Sequence, residues 1–368
     1  MTQTGFLHHP RRIAVLGISF VLAVFGLVAS ATSTRAAYDP LGSGTTKLSL
    51  DRSFLASMKK NGVSLTGVAP ARIKNGIVTF PVSGGKFDPL SGKGTVEHEG
   101  ALVFQRGSHK VPLKALQLKT TSRRSPFAVK AGGGQLKLAT VESTEVSRTG
   151  FGNKVRVSAL AMSAKLATRL GKKLHLKHVF EEGLPLGDTV THANPETVTV
   201  LAKGAVTLTL APTLVAKLNA LFVAVNPIFP AEHMGPVFTL PVFGGAIATD
   251  ASQGVIETEG ALEALQLGGG QIFWRAPWVD LTSGAFEVEA SSESRPGQFD
   301  RVPVASLAFA APPVVDPKLR TVAVSGTLAL DAATAASFND AFAKPQGKGD
   351  VFAAGEALGT LSFTAQGQ

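Results

Sequence analysis

The sequence contains one long segment twice, and the two copies are 160 positions apart (81 to 241). PVSGGKFDPLSGKGTVEHEGAL occupies residues 81–102, and PVFGGAIATDASQGVIETEGAL occupies residues 241–262 without insertion or deletion. A second pair, LSLDRSFLASMKKNG from Leu48 and LTLAPTLVAKLNALF from Leu208, has the same displacement. Repetition at a fixed spacing indicates that a structural unit has been duplicated. We therefore predict two tandem copies of one domain, over residues 38–203 and 204–368.

A shorter pattern predicts where helices follow strands. LAMSAKLATRLGKKL from Leu160 and LALDAATAASFNDAF from Leu328 share their form with the segments at Leu48 and Leu208. In each, apolar residues at every second position give way to apolar residues three or four apart, which is typical of a strand that runs into an amphipathic helix. The pattern predicts a short helix near the start and near the end of each domain.

Between these elements the sequence is typical of strands and turns. Apolar and polar residues alternate, and Gly, Asp, Pro and Ser interrupt the alternation. The pairs Gly84 with Gly85 and Gly244 with Gly245 stand where a bulge or tight corner requires a residue without a Cβ. Because such strands need a partner layer, the predicted fold is all-β, mainly an antiparallel sandwich or flattened barrel with short rim helices, in two tandem repeats.

The first residues have the layout of an export signal. Arg11 and Arg12 precede an apolar run from Ile13 to about Ser30, and small residues follow. The run of about 18 residues is also long enough for an uncleaved anchor, and the paired arginines are compatible with twin-arginine export. We therefore expect an exported protein, either secreted or at the cell surface, with residues 1–37 as a cleaved signal or an N-terminal anchor.

The composition limits the chemistry and the partners of this protein. The absence of cysteine excludes disulfides, catalytic thiols and Cys-based zinc motifs. Residues 38–203 hold 25 Lys and Arg against 11 Asp and Glu, whereas residues 204–368 hold 8 against 15. These opposite charges predict a weak, salt-dependent attraction between the two domains. The basic domain is compatible with an anionic cell envelope as partner, but its scattered charges do not predict binding to nucleic acid.

No motif in the sequence predicts catalysis. The G-x-S-x-G motif of many hydrolases is absent. Glu97 and Glu99, repeated as Glu257 and Glu259, are two residues apart and so would lie on one face of a strand. That spacing allows acid–base or calcium chemistry, but alternation in an antiparallel sheet favours a solvent-facing strand for such residues. The sequence predicts a protein that is not an enzyme.

Histidines and tryptophans provide the remaining candidates. His98 and His109 flank a strand of the basic domain, where an imidazole could bind a metal or an iron-bound ligand, or lie at the surface in a sheet edge and turn. His175 and His178 are three apart and have no further ligand pair nearby, which does not predict zinc. The tryptophans at 274 and 278 are expected on one face of a strand, in a core or domain interface or stacked on a ligand.

Several motifs occur in the order found in a known family. They are S-F-L at Ser53, the Gly-Gly corner, F-D-P-L-S-G-K-G-T-V at Phe87, E-G-A-L-x-F at Glu99 and V-F-x-x-G-x-P-L-G at Val179. This order resembles the HtaA domain, found in exported haem-uptake proteins of some Gram-positive bacteria. The resemblance covers about residues 46–200, and residues 205–363 more faintly. It implies tandem β-rich domains and haem binding at the cell surface, with a tyrosine oxygen on the iron and histidines nearby.

The sequence departs from the family at the iron ligand. Ser57 stands in the place of the family's tyrosine, and the sole tyrosine, Tyr38, lies outside the repeated segments. We therefore assign the haem site to His109, His98 and Met58. The predicted function is haem binding or uptake by an exported protein. The alternative is a cell-envelope binding or scaffold module that takes another surface ligand and does not bind haem.

Overall fold

The computed structural model describes residues 38–120, 127–131, 134–140, 143–291 and 299–368. The predicted export signal at residues 1–37 lies outside this described part. Most of the regular structure consists of antiparallel strands with a few short helices, which confirms the predicted all-β fold. Among the described residues, no helix is both long and apolar enough to cross a membrane.

The elements of the second half of the chain follow the order of those in the first. The first half comprises β1 (Asp39–Leu50), α1 (Arg52–Lys60), β2 (Ser64–Val68), β3 (Arg72–Lys74), β4 (Ile77–Asp88), β5 (Lys93–His98), β6 (Ala101–Arg106), β7 (His109–Lys119), β8 (Phe127–Ala131), β9 (Gly134–Thr140), β10 (Ser143–Thr149), β11 (Gly152–Met162), α2 (Ala164–Lys173) and β12 (Pro185–Pro195). The second comprises β13 (Thr197–Thr199), β14 (Ala205–Leu210), α3 (Pro212–Ala220), β15 (Val223–Ile228), β16 (Glu232–Met234), β17 (Val237–Ala248), β18 (Gly254–Thr258), β19 (Ala261–Gln266), β20 (Gln271–Asp280), β21 (Ala285–Ser291), β22 (Phe299–Phe309), β23 (Val314–Asp316), β24 (Thr321–Leu330), α4 (Ala332–Phe338) and β25 (Ala357–Gln366). Helix α4 continues as a π-helical turn, Asn339–Ala343, and a 3₁₀ turn, Lys344–Gln346.

Each half closes its strands into an antiparallel ring. In the first ring the order is β7, β5, β4, β1, β12, β11, β9 and β8, and pairing of β8 with β7 closes it. In the second ring the order is β17, β14, β25, β24, β22, β21, β20 and β18, and β18 closes it by pairing with β17. The chain passes between the rings after Pro195, ahead of the predicted boundary at 203, because β13 already pairs with β17.

The predicted transitions from strand to helix occur at all four positions. Strand β1 leads into α1, β11 into α2, β14 into α3 and β24 into α4. Short polar side chains begin three of these helices, α1, α2 and α4. Asp51 accepts a hydrogen bond from the amide of Ser53 at 2.7 Å, and Ser163 accepts one from the amide of Leu166 at 3.2 Å. These caps satisfy amide groups that have no partner within the helix.

The two rings have separate hydrophobic cores that meet at one residue. Phe151 lies in the turn between β10 and β11 of the first ring, yet it packs in the core of the second ring and is 6% exposed. Arg148 holds this turn by donating hydrogen bonds to the carbonyl oxygens of Phe151 at 3.2 Å and of Gln368 at 2.5 Å. The described residues from 38 onward consequently form one compact unit.

Buried polar groups also join the rings. Asp39, at the start of β1, is fully buried and accepts hydrogen bonds from the amide of Thr199 at 3.0 Å and from its hydroxyl at 3.3 Å. Burial raises the pKa of Asp39, although the bonds from Thr199 and the nearby Arg148 act in the opposite direction. Arg148 also experiences electrostatic repulsion from the nearby, like-charged Arg320. The attraction predicted from the net charges of the halves stays a prediction.

Matched glycines produce matched bulges. The register of β4 against β5 shifts between Val82 and Gly84, and that of β17 against β18 shifts between Val242 and Gly244. The next residues, Gly85 in β4 and Gly245 in β17, have positive φ angles of +116° and +118°. There, a Cβ would lie 2.1 Å or 2.0 Å from a carbonyl oxygen of the neighbouring strand. The glycines therefore permit the close approach that bends each strand, as the sequence predicted.

Alanine at Gly85 or at Gly245 is expected to lower the free energy of unfolding by about 3 kcal/mol, since the methyl group would overlap a carbonyl oxygen and φ is unfavourable. The matched control is Gly268→Ala, where φ is +80° but no atom lies within 4 Å of the added carbon. Only the backbone cost of about 1 kcal/mol is expected there. Urea unfolding measures the free energy of unfolding of all three variants. Equal losses of stability would show that the close approach to the carbonyl oxygen adds nothing to the cost of substitution.

Candidate functional site

The three residues predicted to form the haem site lie in different environments. His98 ends β5 inside the first core, and Met58 lies on the inner face of α1; the two are 4% and 3% exposed. His109 begins β7 at the surface. His98 contacts Leu116, further along β7, so at about 3.3 Å per residue β7 separates it from His109 by roughly 20 Å. His98 and His109 therefore cannot share one iron.

Both ring nitrogens of His98 form hydrogen bonds within the core. Nδ1 lies 3.0 Å from the carbonyl oxygen of Leu116, and Nε2 lies 2.5 Å from the hydroxyl of Thr46. Because a carbonyl only accepts, Nδ1 carries the proton and Nε2 accepts from Thr46. Thr46 lies 2.7 Å from the hydroxyl of Thr191, which continues the chain of bonds. Burial lowers the pKa of His98 to about 4, and the bond to Leu116 offsets this only in part.

The second ring makes the same link with a smaller residue. Thr258 pairs with Val242 in the position at which His98 pairs with Val82. Its hydroxyl donates a hydrogen bond to the carbonyl oxygen of Pro277 at 2.6 Å. From inside the core, this position thus connects β5 to β7 in the first ring and β18 to β20 in the second. The bridge explains why His98 is buried and why neither of its nitrogens is available to a ligand.

Met58 is likewise too deeply buried to bind an iron atom. It packs in the first core together with Phe54 from the preceding turn of α1. Ser57, which replaces the tyrosine expected from the family, is half-buried beside it, and its carbonyl oxygen accepts a hydrogen bond from the side chain of Asn61 at 2.8 Å. Close-packed cores have no space for a large ligand. The thioether of Met58 therefore contributes to packing.

His109 instead belongs to a pair of exposed imidazoles. Its ring centroid lies 4.4 Å from that of His175, which follows the end of α2. Arg106 fixes this neighbourhood by donating to the carbonyl oxygens of Leu174 at 3.2 Å and of His175 at 3.1 Å. His178, which is close to His175 in sequence, is instead 4.0 Å from Glu181. The described residues contain no cluster of three or more His, Asp or Glu arranged to hold a metal ion.

An open groove of about 650 Å³ runs from His175 along α2. Leu176 provides apolar surface in it, Phe180 lies at its base with only 7% of its surface exposed, and Lys172 and Lys177 are exposed at its rim. An imidazole, an apolar surface and two ammonium groups therefore converge at one end of the first ring. The sequence alone did not indicate this arrangement, because β7 and α2 are far apart along the chain.

A second groove, of about 560 Å³, lies on the outer face of the second ring. Aromatic and charged side chains share its surface: Phe229, Phe243, Phe273, Trp278, Glu257, Glu259, Glu289, Arg275 and Arg301. Phe243 is the residue that the bulge in β17 leaves between Val242 and Gly244. A bulge redirects the side chain that it carries, and Phe243 is 55% exposed.

A further bulge turns Trp278 towards this groove. The register of β20 against β21 shifts between Arg275 and Trp278, and Ala276 between them has a φ of +42°. The prediction that Trp274 and Trp278 share one face is therefore wrong, because the extra residue reverses the alternation. Trp274 is 8% exposed in the core and stacks on Phe338 with ring centroids 5.6 Å apart. Trp278 lies outside the core, under the guanidinium of Arg301 at 3.8 Å.

Comparison with known proteins gives similarities to solved structures only. No family model matches the chain, and no curated protein matches it. The C-terminal domain of HtaA from Corynebacterium glutamicum is 11% identical, with a TM-score of 0.35 over 43% of this chain and 98% of that one. A domain-swapped dimer of a histidine-to-alanine variant of that domain is 16% identical, with a TM-score of 0.32 over 42% and 91%. A mutant transferrin binding protein B from Haemophilus parasuis is 8% identical, with a TM-score of 0.16 over 90% and 76%.

The burial of His98 predicts a pH-dependent stability. The folded protein keeps the ring neutral down to about pH 4, whereas in the unfolded chain it gains a proton near the ordinary pKa of 6.5. Between these values the unfolded state binds more protons, so the free energy of unfolding falls as pH decreases, by about 3 kcal/mol in total. Denaturant titrations from pH 7 to pH 4 measure this loss.

The variant His98→Gln isolates the contribution of this ring. Glutamine retains a donor and an acceptor but does not titrate, so the loss between pH 6.5 and 4 is expected to disappear. Asp39 has a raised pKa and acts with opposite sign, but it does so in both proteins and cancels in the difference. The matched control is His192→Gln, which makes the same substitution at an exposed position of β12. If the free energy of unfolding depended on pH in the same way in wild type and in His98→Gln, the loss could not be attributed to His98.

Proposed function

We propose that this protein is a non-enzymatic binding protein outside the cytoplasm that associates with haem at the surface of its first ring. The observation that carries the proposal is the contact between the exposed rings of His109 and His175, 4.4 Å apart, beside the groove along α2. The motif order that resembles the HtaA domain supports the choice of ligand. The layout of residues 1–37 supports the location.

The groove along α2 has the chemical groups that haem requires. Haem is a flat apolar macrocycle with two carboxylates, and its iron accepts an axial imidazole nitrogen. Leu176 would contact the macrocycle, and Lys172 and Lys177 would face the carboxylates. His175 or His109 would supply the nitrogen. Since binding sites for small molecules usually bury most of the ligand, an open groove favours brief, reversible association over storage.

The residues assigned to a haem site within the first core do not fit haem. His98 has both nitrogens in hydrogen bonds, Met58 is buried, and Ser57 replaces the phenol oxygen. This observation favours a second candidate function, an envelope scaffold or binding module that takes a different surface ligand. The two candidates differ in whether His109 and His175 bind haem, which one titration can decide.

The buried polar network supports the proposal of a protein without catalytic activity. The imidazole of His98 and the hydroxyl of Thr46 have the composition of a base and a nucleophile. Thr46, however, is 0% exposed, and its hydroxyl already bonds to His98 and Thr191. A substrate could reach this hydroxyl only if the core opened. The pair therefore stabilises the fold.

Haem titration of the purified protein tests the surface site. We expect a shift of the Soret band at micromolar haem, and a loss of affinity of at least about ten-fold in His109→Ala and in His175→Ala, since each removes an imidazole from the contact. Each variant is exposed at its mutated position, so the fold should be retained.

Two controls separate this site from general haem adsorption. His192→Ala removes an equally exposed histidine on β12 and should bind haem as the wild type does. His98→Gln changes the buried imidazole and should also leave the Soret shift unchanged. Absence of any Soret shift would exclude haem binding and leave the scaffold function as the remaining candidate, and a shift lost only in His98→Gln would place haem in the core, against the structure.

A further inference from the structure

The groove on the outer face of the second ring carries aromatic side chains that packing does not explain. Phe229 is 89% exposed and Phe243 is 55% exposed, and both line the groove with Trp278. Single apolar residues at a surface are common, but several that converge on one concave surface indicate a binding site. The groove lies on the second ring, away from the imidazole pair of the first.

Comparison of the two rings shows that these aromatic residues are particular to the second. Phe229 corresponds to Ala69, and each precedes a cis proline. Phe243 corresponds to Ser83, and each lies in the bulge of its strand. The backbone therefore has the same form in both rings, while the side chains differ. The phenylalanines are not needed to form the turn or the bulge.

The groove also contains two carboxylates, Glu257 and Glu259, that form no ion pair within 4 Å among the described residues, although the charge of Arg301 acts on Glu257. In the first ring, Glu97 lies opposite Gln117, and the amide of Gln117 donates to it at 3.1 Å. In the second ring the corresponding pair is Glu257 opposite Trp278, which has no amide to donate. Glu259 is exposed at the same groove. No ion pair between described residues involves Glu257 or Glu259.

The two arginines of the groove are already engaged. Arg301 donates to Glu289 at 3.2 Å and to the carbonyl oxygen of Ala276 at 2.6 Å, and its guanidinium covers one side of Trp278. Arg275 lies 3.6 Å from the same Glu289. These contacts connect β20, β21 and β22. The direct ionic contacts of both arginines are with Glu289, so Glu257 and Glu259 remain accessible to a ligand, with Arg301 acting on Glu257 only at longer range.

We propose that this groove binds a cationic peptide segment. An arginine or lysine side chain of the partner lies against Phe229 and Phe243, and its charge is met by Glu257 and Glu259. Aromatic faces attract ammonium and guanidinium groups, and the carboxylates add charge complementarity. The half of the chain that carries the groove has 8 basic against 15 acidic residues, which favours the approach of a cation. The inference is independent of haem binding.

Fluorescence polarisation of the haem-free protein tests the proposal. The probe is a fluorescein-labelled peptide of alternating glycine and arginine, and the comparison peptide alternates glycine and glutamate. We expect the arginine peptide to bind at least about ten-fold more tightly at low salt, and its affinity to fall as salt screens the carboxylates. Equal binding of the two peptides, or none, would overturn the proposal.

Variants that copy the first ring locate the site. The double variant Phe229→Ala with Phe243→Ser should weaken binding of the arginine peptide roughly 25-fold, at about five-fold for each phenyl group removed. Glu257→Gln should weaken it a few-fold and reduce its salt dependence. The control is Phe222→Ala, which removes a phenylalanine that is 69% exposed but does not line the groove. Binding unchanged in the double variant would refute this site.

A second copy of the chain is the competing occupant, since its first half is basic. Sedimentation of the protein alone distinguishes the two occupants. We expect a monomer in both wild type and double variant. Self-association of the wild type that disappears in the double variant, together with no binding of the arginine peptide, would overturn the proposal in favour of a homotypic contact.

Discussion

Close approach between glycine residues and carbonyl oxygens of neighbouring strands determines the form of both rings. At Gly85 and Gly245, and again at Gly187 and Gly359, a Cβ would lie 2.1 Å or less from such an oxygen. Strands pressed together in this way bend more sharply than a regular sheet allows, which lets the edges of the sheet meet.

Bulges also determine which side chains reach the surface. Phe243 lies within one bulge and Trp278 follows another, so both leave the alternation that holds Trp274 in the core. In the first ring the corresponding bulge in β4 carries Ser83. The backbone and the core are thus similar in the two rings, while the exposed positions differ. The first ring presents imidazoles and lysines, whereas the second presents aromatic rings and carboxylates.

The sequence predicted the features that depend on local patterns. The repeat, the four transitions from strand to helix and the glycine corners were visible because alternation and glycine placement are short-range signals. The contact of His109 with His175 was not, because it joins residues that only the closed ring brings together. The position of Trp278 was missed because a bulge at Ala276 reverses the period of two. Comparison of Phe229 with Ala69 between the copies was the available signal for the outer groove.

Phe151 belongs to the first ring by sequence and to the second by packing. Cutting the chain between the rings would leave an apolar side chain in water on one fragment and a void in the core of the other, and removal of a core phenylalanine costs about 3–5 kcal/mol. In repeat arrays, stability is approximately the sum of the intrinsic stabilities of the units and of their interfaces. Here the first half supplies a core residue of the second, so the second half has no complete core of its own.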